Sequence, residues 1–319
     1  MNGVPDRLRL LRTWTAILLG RSYRHRPQDI GPHFLPDRLH GYFVDLTAKT
    51  EYDGPVDGEG LPLTRALGRL IHHPTVVLQF GLGHWDRSLG NGGGSEEHRR
   101  QFMNVAKWTL GSMDDRGGLP VFPQLGFQTV TPYSAMTQGL AASVLGRASL
   151  VDGSMNWLER SRQAARLMLE PIETGGTSRL IPAGIVLEEA PLVRPNTILN
   201  GWLFGLFGLH DLILAENGAD PASVTALRLT LAALVDSLPA FDAGWWSRYD
   251  TAGHLASPFY HHLHVAQLTA LEQTFPMVSA AVLVLRTRWQ RAEDSRLQPA
   301  RAVILKAGQQ LSHPPAMIK

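Results

Sequence analysis

Three short stretches of the 319-residue chain concentrate side chains that can move protons or grip a polar ligand. "LEEAP" sets Glu188 beside Glu189, "WWSRYD" runs from Trp245 to Asp250, and "YHHLH" runs from Tyr260 to His264. On a helix, His264 falls four residues after Tyr260 and on its face. A phenol with an ordinary pKa of about 10 is a poor base unless nearby positive charge lowers it. His261 or His264 could supply that charge, or bind a ligand directly. The same two histidines, three apart, could hold a metal, but the pattern identifies no third ligand. Other chemistries fit less well. "GLGHWD" (Gly81–Asp86) lacks the third glycine and following helix of a dinucleotide site. No second carboxylate pairs convincingly with Glu189 for glycoside hydrolysis. The competing reading of each group is structural: a solvated Glu189, tyrosines packed with their hydroxyls satisfied locally, and tryptophans in the core.

These stretches sit in long connections between helical segments. Helical spacing and caps mark Ser95–Met113, Tyr133–Val151, Asn156–Leu169, Thr197–Ala215, Pro221–Leu238, Tyr260–Thr274 and Met277–Ala292. Several are apolar on nearly every side, as in "ILNGWLFGLFGLHDLILA", which places them inside a double layer of helices. Between them lie turn-rich loops, long enough to be functional. Helical hairpins with long loops at one end predict a mostly α fold, an incomplete α/α toroid. From Gly41 to Trp85 the texture is β-like, with "TVVLQFGLG" rich in β-branched residues, and "GNGGGS" (Gly90–Ser95) gives a flexible joint. The reading divides the chain into a basic segment (1–36), a β-hairpin region with a glycine-rich linker (37–94) and a toroidal catalytic domain (95–319).

Apolar residues make up 44% of the chain and charged ones 18%, which is a globular composition. Without cysteine there are no disulfides or thiolate metal sites. Residues 1–36 hold Arg7, Arg9, Arg12, Arg21, Arg24 and Arg26 against Asp6 and Asp29. The overall charge of +2 therefore leaves the body slightly acidic. That argues against a nucleic-acid surface, although a few cations in a cleft could still hold a polyanion. The short apolar run Trp14–Leu19 makes a poor signal peptide, so a cytoplasmic protein is expected. This start either packs on the body or touches an anionic membrane face.

Three ordered stretches resemble the D-glucuronyl C5-epimerase family. "RGGLPV" with "PYSAMTQG" (Arg116–Val121, Pro132–Gly139) is similar to its Gly-Gly-Trp-Pro turn and Tyr-Ser-Ala-Met-x-Gln-Gly helix start. "EEAPLVRPNTILNGWLFGLFGLHDL" (Glu188–Leu212) resembles its Glu-Glu-Tyr-Pro segment and Leu-Asn-Gly helix. "SRYDT" and "FYHHLHVAQL" match its Tyr-Asp pair and Tyr-His-x-x-His helix start. More weakly, "HPTVVLQFGLGHW" (His73–Trp85), with Gln79, resembles a family strand. In long animal members a β-sandwich domain follows that strand, and here the glycine linker stands in its place.

The resemblance implies conversion of D-glucuronate to L-iduronate within a heparosan-like polysaccharide, by a homodimer without a redox cofactor. Such chemistry needs a proton-carrying group on each face of C5 and stabilisation of the enolate-like carboxylate. Glu189 occupies the catalytic glutamate position, and burial would raise its pKa toward working pH. Tyr260 is the candidate for the opposite face. Tyr249 and Tyr133 match further family tyrosines, as auxiliary acids or sugar partners. Asn200, Trp246, Gln79, His261 and His264 are candidate substrate contacts. Two departures stand out: Ala190 replaces a tyrosine, and the arginine expected after the Tyr-Asp pair is missing, leaving Arg248, Arg194 or a histidine for its charge. A uronate polysaccharide lyase and a catalytically silent acidic-glycan-binding protein are the competing functions.

Overall fold

The computed structural model describes residues 26–90, 94–295 and 297–312. The remaining arginines of the basic start and the run Trp14–Leu19 lie outside them. The fold is mostly helical. A 3₁₀ turn (Thr47–Thr50) and a small antiparallel hairpin, β1 (Thr64–Ala66) with β2 (Arg69–Ile71), precede the helices. Helices α1 (Pro74–Ser88) and α2 (Ser95–Ser112) then pack together. After a short α3 (Phe122–Leu125) come α4 (Ala135–Asp152) and α5 (Met155–Leu169). A second hairpin, β3 (Ser178–Ile181) with β4 (Gly184–Leu187), leads to α6 (Leu199–Ala215) and α7 (Pro221–Ser237). Helices α8 (Pro258–Thr274), α9 (Ser279–Glu293) and α10 (Gln298–Ser312) close the described chain.

The seven helices expected from spacing form within two residues of their expected ends. Their caps follow the residue types: Asp220 accepts from Ala222 and Ser223 N–H, and Ser257 accepts from Tyr260 N–H. At the centre α4 crosses α6 with backbones almost touching. A Cβ on Gly208 would lie 2.1 Å from the Gly139 carbonyl oxygen, so only glycine permits this approach. Around the crossing Trp202, Phe204, Phe207 and Leu140 are fully buried, each contributing about 2 kcal/mol by removal from water. Phe43, from the segment before the 3₁₀ turn, stacks on Phe207 at 4.1 Å and ties the N-terminal part to the same core.

The expected strand at His73–Trp85 is instead helix α1. Pro74 occupies its first turn, where a missing N–H costs nothing. The β-branched residues mislead because the helix is buried on several faces and shows no polar stripe. Val77, Leu78, Phe80 and Leu82 all enter the core, and tertiary packing overrides the local β preference. Gly83 lets the 3₁₀ turn approach, since a Cβ there would meet the Leu46 carbonyl oxygen at 2.2 Å. Three elements stand where no regular structure is expected: the short helix α3 and the β3–β4 hairpin, each inside a stretch read as a loop, and helix α10.

Candidate active site

Two loops bring the chemistry-bearing residues together. The β3–β4 hairpin delivers the glutamate pair: Glu188 N–H donates to the Thr177 carbonyl, and the Glu188 carbonyl accepts from Ala135 N–H at the start of α4. Glu188 itself is buried and turned into a structural network, accepting from Thr197 Oγ1 at 3.1 Å with Arg179 alongside. The second loop is stitched to the start of α6. Leu199 N–H donates to the Tyr249 carbonyl, Thr251 N–H to the Thr197 carbonyl, and the Asn196 amide to Asp250. Tyr249 is thereby held beside Asn200.

These residues line a cavity of about 410 Å³. Glu189, Asn200, Tyr249 and Tyr260 are among its ionisable and amide groups, and Gln79 of α1 also lines it. Glu189 keeps part of its surface open to this space while protein encloses its carboxyl. Loss of hydration pushes the carboxyl up to about pKa 7. Its one hydrogen bond among the described residues, from Asn200 Nδ2, is long at 3.4 Å. Gly201 makes room for it, since a Cβ there would sit 2.2 Å from Glu189 Oε2. The Tyr249 and Tyr260 rings lie 4.7 Å apart, tilted by 60°, so the two phenols form a close pair. Burial, then the Glu189 charge, drives the Tyr249 pKa well above 10, so this phenol keeps its proton.

The remaining expected site residues lie elsewhere. Tyr133 is buried next to the cavity's Ser134, but its hydroxyl donates to Asp114 Oδ2 at 2.6 Å and it does not line the space. Burial and the Asp114 carboxylate push its pKa up to about 12. His261 is fully buried between Ser247 and the Trp289 carbonyl, and Trp246 stacks on it at 3.5 Å. Accepting from Ser247 N–H makes His261 Nδ1 the unprotonated nitrogen, so burial holds a neutral ring at about pKa 4. His264, also fully buried, contacts Ser247 Oγ at 3.0 Å, and desolvation lowers its pKa well below the ordinary value. Trp246 donates to the Ala256 carbonyl. Arg248 donates to the Ala240 carbonyl, and Arg194 is exposed on the loop after Glu189; neither lines the cavity.

The cavity contains a cation that sequence reasoning passed over. Lys49, on the 3₁₀ turn, is 5% exposed and lines the same space as Glu189. Gln28, His73 and Phe122 join it from elements remote in sequence. A burial this deep for a lysine is the signal, and it exists only once the chain is folded.

Comparison with known proteins addresses the same region. Residues 126–291, just over half of the chain, match the family model described as the D-glucuronyl C5-epimerase C-terminus. The chain is 32% identical over 193 residues to the D-glucuronyl C5-epimerase of Caenorhabditis elegans, covering 53% of this chain and 31% of that protein. It is 26% identical over 138 residues to an uncharacterized protein of Methanocaldococcus jannaschii, covering 42% of this chain and 44% of that one. The matches thus span less than half the length of either relative. Glu189, Asn200, Tyr249 and Tyr260 all fall within residues 126–291, whereas Lys49, Gln79 and α10 do not.

Proposed function

The chain belongs to the D-glucuronyl C5-epimerase C-terminus family, and from that membership we propose that it converts D-glucuronate to L-iduronate units within a heparosan-like polysaccharide. One observation carries the reading: an enclosed glutamate with pKa about 7 shares a cavity with two phenols whose rings lie 4.7 Å apart. A carboxylate so shifted is matched in basicity to neutral pH, where about half of it is ionised and ready to accept a proton.

In the proposed reaction ionised Glu189 takes the C5 proton. The C–H electron pair moves into the uronate carboxylate as an enolate, which the Lys49 ammonium stabilises. The phenol pair delivers a proton to the other face of C5, which inverts the centre. Glu189 is then protonated and the phenol pair ionised, and exchange with water restores both. Only protons move, so no electron carrier takes part. Lys49 assumes the role expected of an arginine, because a buried ammonium beside the cavity interacts strongly with an incoming carboxylate. The same proposal takes the helices as an incomplete α/α toroid and the working enzyme as a homodimer in the cytoplasm.

The test is incubation of the protein with heparosan in deuterated water, followed by proton NMR of the polymer. Deuterium at C5 with new iduronate signals and unchanged chain length is the expected result. Unsaturated chain ends would identify a lyase instead. Tight binding of an unaltered polymer would identify a silent glycan-binding protein.

A further inference from the structure

Helix α10 lies beyond the residues matched by the family model, yet it is wired to the loop that carries Tyr249. The Lys306 ammonium donates to the Leu255 carbonyl at 2.5 Å. Gln309 accepts from Leu255 N–H at 2.9 Å and donates to the Gly253 carbonyl at 3.3 Å. These contacts hold the far side of a tight turn whose near side is Tyr249, since Tyr249 N–H donates to the His254 carbonyl at 2.6 Å. The Lys306 nitrogen also lies 5.6 Å from the centroid of the Tyr249 ring. Two residues after Leu255, Ser257 caps the helix that bears Tyr260. At the other end of α10 the Arg301 guanidinium covers Trp245 at 4.1 Å.

Even a half-buried ammonium is costly unless something uses it. Lys306 lies near Asp250 of the loop, His264 of α8 and the Tyr249 phenol. Burial lowers its pKa to about 8, with Asp250 opposing the shift, so the side chain is charged at neutral pH. In the proposed reaction the phenol pair becomes negative when its proton passes to C5. A fixed positive charge over the Tyr249 ring favours that state more than the neutral one.

We propose that α10 belongs to the catalytic apparatus: Lys306 and Gln309 are positioning residues for Tyr249, and the Lys306 ammonium balances the negative charge that the phenol pair acquires. This rests on the epimerase reading above. The experiment compares full-length Lys306→Met, Lys306→Arg and Gln309→Ala with the unaltered protein in two assays. One is deuterium entry at C5 of heparosan. The other is NMR of ring-¹³C-labelled tyrosine, in which Tyr249→Phe assigns one of only six tyrosines. Lys306→Met is expected to lower kcat about tenfold with KM within about twofold. It should also shift the Tyr249 ring signals, and Lys306→Arg should restore both. Gln309→Ala, a gentler change, should move both readouts in the same direction by less. A Lys306→Met protein with unchanged kcat would overturn the proposal, and so would a loss of kcat with unmoved Tyr249 signals and no rescue by arginine. If the unaltered protein puts no deuterium into any uronate polymer, the epimerase reading fails on its own. The Tyr249 signals then still decide whether Lys306 positions that ring.

Discussion

Asp86 and Glu189 are both carboxylic acids raised to about pKa 7, chiefly by loss of hydration, yet they occupy opposite kinds of place. Asp86 is completely buried on α1, accepts from Tyr42 N–H at 2.9 Å and lies near the Arg147–Asp211 ion pair. That pair is itself closed off: Arg147 reaches both Asp211 oxygens and the carbonyls of His40 and Gly41, and lies over the Tyr42 ring. Glu189 opens onto a cavity that also holds phenols and an ammonium. A shifted pKa is therefore no mark of function in itself; access to a ligand-sized space separates the two.

Substitutions can break or sharpen that contrast. Glu189→Gln should reduce deuterium entry at C5 by about 10³-fold or more while leaving the thermal midpoint near its original value, as calorimetry would check. Asp211→Ala should do the reverse, costing about 3–5 kcal/mol in urea unfolding by stranding the buried Arg147 charge. Tyr260→Phe should slow exchange by about 10²-fold under saturating polymer, since it removes one phenol of the pair. Gly201→Ala should lower the rate by about 10- to 100-fold, because its Cβ would displace the Glu189 carboxylate, with less effect on melting than Asp211→Ala. The smallest effect is on pH dependence. Both carboxyls hold their protons more tightly in the folded than in the unfolded chain. Their contribution to stability is thus complete below the ordinary carboxylate range and is lost as pH rises through about 7. Asp86→Asn should flatten that decline between about pH 4 and 7 in urea titrations and leave the exchange rate unchanged.

Local signals made much of this molecule readable in the chain. Capping residues such as Asp220 and Ser257, and all-apolar stretches such as Leu199–Ala215, mark helices without knowledge of their neighbours. Glu189, Asn200, Tyr249 and Tyr260 were legible because matched motifs preserve their order. What failed depended on tertiary context. The Thr75–Val77 run reads as strand until α2 and the 3₁₀ turn are packed against it. Lys49 sits on a four-residue turn with no periodic pattern to show that its side chain would be buried at the cavity. The histidines next to Tyr260 look chemical in sequence, whereas α8 points His261 and His264 into the packing around Ser247. Arg248 is drawn away by the Ala240 carbonyl, a partner that spacing cannot reveal.

The most direct test of the account is the pH dependence of kcat/KM for solvent deuterium entering C5, which reports the ionisation of the free enzyme's base. A rate that climbs with pH and reaches half its plateau at about 7 is the expected outcome, set by the enclosed Glu189 carboxyl. A rise centred in the ordinary carboxylate range near 4–5 would contradict it, because the base would then be a hydrated carboxylate rather than Glu189 in its cavity.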